Sequence, residues 1–199
     1  LAALERIAPL RLAAEWDAVG LLVTPRRGNV ARVLTCLTLT PEVAAEAVRE
    51  RADLVLTHHP LPFRPVARLT PDTGTGRVLL ELVAAGVGVW SSHTAWDSAA
   101  GGINQLLAAM IQLEGIAPIE PDREDPQVGF GRVGVAAAGT GLAALARLLA
   151  ARLAANGVQL VGEPDRDAGR VAIVCGSGGD SVGQVAAAGC QTLVTGEIR

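Results

Sequence analysis

Apolar and polar positions first fall into a regular pattern at residue 31. The run ARVLTCLTLT (31–40) is β-branched and apolar without a helical period, which predicts a buried strand. Thr40-Pro41-Glu42 reads as a helix start: a capping hydroxyl, a proline at the first helical position and an acid in the first turn. The helix PEVAAEAVRERA should end near Asp53, and LVLT (54–57) should follow as a second buried strand running into His58. A loop rich in Pro and Thr (60–75) leads to a helix over GRVLLELVAAG, which stops at Gly86. VGVWSS reads as a third strand running into His93, and SAAGGINQLLAAMIQL as a third helix. Strands and helices alternating at this length predict a mostly parallel sheet covered by helices.

IAPIEPDREDPQ (116–127) is polar, carries three prolines and reads as a linker, dividing the chain into lobes 1–117 and 118–199. The second lobe repeats the plan. RVGVAA is a strand, GLAALARLLAARLAANG a helix, and RVAIVCGSGGD a strand meeting a glycine turn. SVGQVAAAG is a short helix and QTLVTGEIR a last strand. A shift of 138 brings Arg32-Val33 onto Arg170-Val171, Pro41-Glu42 onto Gly179-Asp180 and Leu54–Thr57 onto Thr192–Thr195 without a gap. The match reads as an internal duplication, although any two strand–helix units share this rhythm. His58 and His59 then correspond to Gly196 and Glu197. Counterparts of His93 and Asp97 would fall near 231 and 235, so the second lobe is expected to lack its last strand and helix, and the site some of its ligands.

Composition narrows the function classes. Half of the 199 residues are apolar and 3% are aromatic, so the core must be aliphatic. All 17 basic residues are Arg, the formal charge is -3, and no dense basic stripe with stacking aromatics marks a nucleic-acid surface. Cys36, Cys175 and Cys190 show no CxxC spacing and read as buried reduced thiols of a cytoplasmic protein. The start, LAALERIAPL, lacks a basic region and carries Glu5, unlike a signal peptide. The longest charge-free stretch of the second half, 133–146, is too short to span a bilayer.

The candidate chemistry lies in the histidines. The chain has three, and each lies at the carboxyl end of one of two consecutive strands, where open α/β sheets place their ligands. In THHP, neighbours on a strand point to opposite faces, so either one imidazole is structural or the pair serves two sites. In HTAWD, His93 and Asp97 stand four apart. This suits a borderline divalent ion, but equally a carboxylate orienting a histidine, or an Asp capping a helix after Ser98. Taken together, three imidazoles and a carboxylate at converging strand ends favour a metal site. WDAVGL (16–21) is an apolar anchor with a turn acid, or part of the site. CGSGGD (175–180) can cradle a phosphate but is better read as tight packing. Glu197 can be a ligand, a supporting acid or a general base.

In their order, W-D-x-V-G-L, L-x-T-H-H-P-L-x-F, S-H-T-x-x-D-x-x-x-G-G-x-N, G-F-G-R-x-G, the G-S-G-G turn and V-T-G-E-I-R closely resemble the Nif-three-like dinuclear metal-centre family, from Trp16 to Arg199. The resemblance implies an α/β fold of two similar three-layer lobes with mostly parallel sheets flanked by helices and a metal cleft between them. It implies two divalent ions (Zn, Mn or Fe) and a toroidal homo-hexamer. By the same likeness His58, His59 and Asp97 are metal ligands and His93 supports them from behind. The family's G-H-x-x-[ST]-E ligands have no match in this chain. Bacterial members carry the name of type 2 GTP cyclohydrolase I homologues, which implies a metal-dependent hydrolase of a nucleotide or other phosphate-containing small molecule. The alternative is a non-catalytic hexameric metal-binding or regulatory assembly. Glu197 is a candidate supporting acid or base; no catalytic residue is otherwise assigned.

Overall fold

The computed structural model describes residues 1–198; Arg199, which closes the V-T-G-E-I-R run, lies outside them. The chain forms two compact units, one over Leu1–Trp96 and one from Asp97 onwards.

The first unit contains α1 (Ala2–Ile7), β1 (Gly20–Val23), β2 (Val33–Cys36), α2 (Pro41–Arg49), β3 (Leu54–Thr57), α3 (Gly74–Ala85), β4 (Gly88–Ser91) and the start of α4 (His93–Ser98). The sheet order is β1-β4-β3-β2. β2, β3 and β4 run parallel, while β1 runs against β4, with Gly20 opposite Ser91 and Leu21 opposite Trp90. α2 and α3 start at their capping residues. Thr40 accepts from the Val43 N–H at 3.3 Å, and Thr73 accepts from the Gly76 N–H at 3.0 Å. α3 ends on Gly86 at φ 76°, a left-handed cap that a residue with a Cβ rarely adopts. Ala44 and Ala47 of α2 and Val78 and Leu82 of α3 pack on Val55 and Val89. The apolar pattern gives no sign of β1, because GLLV is too short to show alternation.

The second unit contains α5 (Ile103–Met110), β5 (Glu114–Ala117), β6 (Glu120–Pro121), β7 (Gly129–Phe130), β8 (Arg132–Val135), α6 (Leu142–Leu153), β9 (Arg170–Ser177), α7 (Val182–Ala187) and β10 (Thr192–Glu197). Its sheet order is β10-β9-β8-β5. Here only β9 and β10 are parallel; β8 runs against β9, and β5 against β8. Alternate residues of β9 serve two faces. Val171 and Ile173 pack with Leu142, Leu145 and Leu149 of α6, and Ala172 and Val174 with Val185 of α7.

The unit boundary falls earlier than the 117/118 division that the proline-rich segment suggests. Ala108, Ile111 and Leu113 bury themselves in the second unit's core. Two buried polar side chains secure the same segment. The Asn104 amide donates to the Asp97 carbonyl at 3.0 Å, and its oxygen accepts from the Cys175 N–H at 2.8 Å. Arg132, fully buried, donates to the Ser98, Ala99, Gly129 and Gly131 carbonyls and to Gln105. The single helix that the apolar pattern predicts over 98–113 is broken at Gly101-Gly102, and α5 starts only at Ile103.

The shift of 138 has a structural counterpart. Val33–Cys36 pair with Leu54–Thr57, and Val171–Val174 pair with Thr192–Thr195, residue for residue at the same offset. α2 covers 41–49, and the shifted range 179–187 holds a 3-10 turn followed by α7. The Thr57 hydroxyl donates to the His59 carbonyl at 3.0 Å, and the Thr195 hydroxyl to the Glu197 carbonyl at 3.3 Å.

Candidate metal centre

The frame accounts for the meeting of the histidines. β3 and β4 are parallel neighbours with Thr57 opposite Ser91, so both chains leave the sheet at one edge. The pleat stops at Thr57, removing the objection that adjacent histidines must face opposite ways. His58 and His59 donate their backbone N–H groups to the Cys36 and Leu37 carbonyls at 3.1 and 2.9 Å. The Ser91 hydroxyl donates to the His58 carbonyl at 2.7 Å. The imidazole centroids of His58 and His59 are 5.1 Å apart, and that of His93 lies 5.2 and 5.8 Å from them. One ring nitrogen from each of the three lies within 4.8 Å of the other two. His93, expected behind the ligands, offers a nitrogen on the same terms as the pair.

The rings are also oriented. His93 Nδ1 sits 2.9 Å from each oxygen of Asp17, whose side chain is wholly buried. An ionised carboxylate only accepts, so Nδ1 is the donor, and in the neutral ring this leaves the lone pair on Nε2. Thr94 adds its N–H at 3.1 Å and its hydroxyl to the same carboxylate. Burial would raise the Asp17 carboxyl, but the His93 and Thr94 hydrogen bonds outweigh it and hold it below its usual range. His59 Nδ1 pairs with the Thr38 hydroxyl at 2.8 Å. His93 sits at φ 26°, a backbone strain typical of functional positions. The sequence leaves Asp17 either a turn acid or part of the site, and the structure makes it part of the site. The β1–β4 pairing brings the residues before Gly20 beside those after Ser91, so predicting β1 would have located it.

Burial, with the neighbouring His93 and His59, pushes His58 down to about 4. Burial and His93 push His59 down as well. Clustered, neutral imidazoles are the form in which nitrogen binds a cation, and protonated ones at these distances would repel. The donor set therefore fits a borderline divalent metal such as zinc, manganese or iron.

Asp97 belongs to the second unit, four residues after His93 in α4, and its Oδ1 is buried. Burial, with the Asp97 charge, pushes the Cys175 thiol up to about 12. Glu197 is exposed near the end of β10. In the CGSGGD turn Gly178 is close-packed, since a Cβ there would meet Thr195 Oγ1 at 2.6 Å, whereas Gly176 faces open space. Among the described residues no helix is long and apolar enough to cross a membrane.

The sequence profile of the Duf34/NIF3 (NGG1p interacting factor 3) family matches residues 1–199. The chain belongs to this family. Among Duf34/NIF3 relatives, a Clostridium perfringens protein named GTP cyclohydrolase 1 type 2 homolog is 33% identical over 194 residues, 98% of this chain and 74% of that one. A Streptomyces coelicolor protein of the same name is 34% identical, over 100% of this chain and 71% of its own length. Of solved structures, a Bacillus cereus protein related to NIF3 matches with a TM-score of 0.89 at 20% identity, over 100% of this chain and 81% of that one. A Staphylococcus aureus protein matches with a TM-score of 0.88 at 26% identity, over 100% and 77%. These matches fix the fold as the α/β fold of NIF3-related proteins.

Proposed function

We propose that this chain binds divalent metal through its histidine cluster and acts as a metal-dependent hydrolase on a nucleotide or another phosphate-containing small molecule. The observation that carries the reading is the meeting of three imidazoles, two of them oriented by hydrogen bonds, each with a ring nitrogen within 4.8 Å of the others. The name shared by the two relatives, GTP cyclohydrolase 1 type 2 homolog, supports hydrolytic chemistry on such a substrate.

His58, His59 and His93 supply nitrogen donors. Asp97, four residues after His93, is assigned as the carboxylate donor on the family resemblance. A bound divalent ion supplies Lewis acidity, polarising substrate oxygens and acidifying water. Asp17 keeps the proton on His93 Nδ1, and Thr38 steadies His59. Glu197, which holds the place of His59 in the repeated frame, is assigned to proton transfer. Two ions, a toroidal homo-hexamer and a cytoplasmic setting complete the reading; these rest on the family resemblance.

The test combines metal binding with turnover. The chain loaded with zinc, manganese or iron is expected to hydrolyse GTP or a small phosphoester. His59→Ala is expected to weaken metal binding by more than the roughly 10–100-fold typical of losing a partner behind a ligand. Tight metal binding without turnover across a broad substrate panel would favour the regulatory assembly instead.

A further inference from the structure

The chain is poor in aromatic rings: two Phe, three Trp and no Tyr. Trp90 is 4% exposed, yet Trp16 and Phe63 are 67% and 51% exposed. Single exposed apolar residues need no explanation, but these two are paired. Their centroids are 6.1 Å apart at 60°. Each also lies against the His93 ring, at 6.2 and 6.3 Å. Both come from the segments that build the cluster: Trp16 directly precedes Asp17, and Phe63 follows His59 by four residues in the same loop. Fully burying such a side chain would gain about 1.5–3 kcal/mol, and the fold leaves both beside its donor nitrogens.

We infer that Trp16 and Phe63 form a stacking subsite for a planar heteroaromatic ring, such as a nucleobase, and hold it beside the imidazole cluster. Two rings with centroids 6.1 Å apart leave no room for a third between them, so the ligand stacks on one of their outer faces. A planar heteroaromatic ring gains π-stacking there that a sugar phosphate, which has no π-face, does not. Stacking tolerates any base, so the subsite reads ring shape rather than base identity. The inference deepens the proposed function by choosing ring-bearing substrates over simple phosphoesters. It rests on that reading only for what happens at the reactive end.

Isothermal titration of the full chain tests it, with guanosine and ribose 5-phosphate as probes and zinc titrated separately. Guanosine is expected to bind more tightly than ribose 5-phosphate. Stacking contributes ~1–3 kcal/mol per base, so Trp16→Leu is expected to weaken guanosine about 5–150-fold. Phe63→Leu should weaken it less, and zinc affinity should stay unchanged in both variants. Guanosine no better than ribose 5-phosphate, or unaffected by Trp16→Leu in a folded protein, overturns the inference. So does a Trp16→Leu variant that loses only its self-association, since the rings then face a second copy of the chain. If wild-type protein binds guanosine but no metal, the proposed function falls and the subsite stands. If it binds metal without preferring guanosine, the subsite falls and the proposed function stands.

Discussion

The β2–α2–β3 segment of the first unit and the 170–197 segment of the second share one frame and part company after its last residue. Both pair their parallel strands at the same offset, and both aim a threonine hydroxyl at the carbonyl two residues on. Beyond that threonine the first unit places His58-His59 and the second Gly196-Glu197. The second cannot simply copy the first: a Cβ on Gly196 would come within 3.0 Å of the Gly176 carbonyl oxygen. The polar groups divide accordingly. In the first unit Asp17, Thr38 and Thr94 orient imidazoles or each other. In the second, Asn104 and Arg132 are buried and tie backbone together. An aliphatic β-α-β frame can be reused unchanged while the few residues past a strand end decide whether it carries chemistry.

Three substitutions probe this contrast. The largest effect is expected from Arg132→Met, which strips five donors from carbonyls and a glutamine inside the second unit. A loss of several kcal/mol is expected in chemical denaturation, since each buried acceptor left without its donor costs about 1–3 kcal/mol. Metal affinity serves as the independent readout. Next comes Asp17→Asn, which swaps a carboxylate acceptor for an amide and disturbs the His93 tautomer. A drop of roughly 10–100-fold in zinc affinity is expected by titration. Long-range ¹⁵N correlation spectra of the metal-free protein should show the proton no longer held on Nδ1. The smallest is Thr40→Ala, which removes the α2 cap and makes that helix start like α7, which has no side-chain cap. It should cost about 1 kcal/mol in thermal unfolding and leave zinc binding unchanged. A larger cost would mean that the two frames differ in more than their ends.

Much of the frame is legible in the sequence because it is built from long apolar runs with clear punctuation. Thr40-Pro41, Gly86 and the 138 shift each mark features that the fold keeps. The convergence of three histidines follows from placing them at the ends of two neighbouring strands. What the sequence hides depends on pairing rather than pattern. GLLV at 20–23 has no period to read, and only its pairing with β4 brings Asp17 to His93. Strand direction in the second sheet is set by where long connections return, so the antiparallel pairs leave no local mark. Arg132 looks like an ordinary surface cation until Gly129 and Gly131 turn their carbonyls inward to meet it.

The strand β1 lies at the rim of its sheet, hydrogen-bonded on one side only. Rim strands are among the first parts of a fold to open. Each fraying of Gly20–Val23 loosens the anchor beneath Asp17 and lets the third imidazole swing. Amide exchange at Leu21 and Leu22 should therefore keep time with the ring motion of His93, making this rim strand the pacemaker of the site.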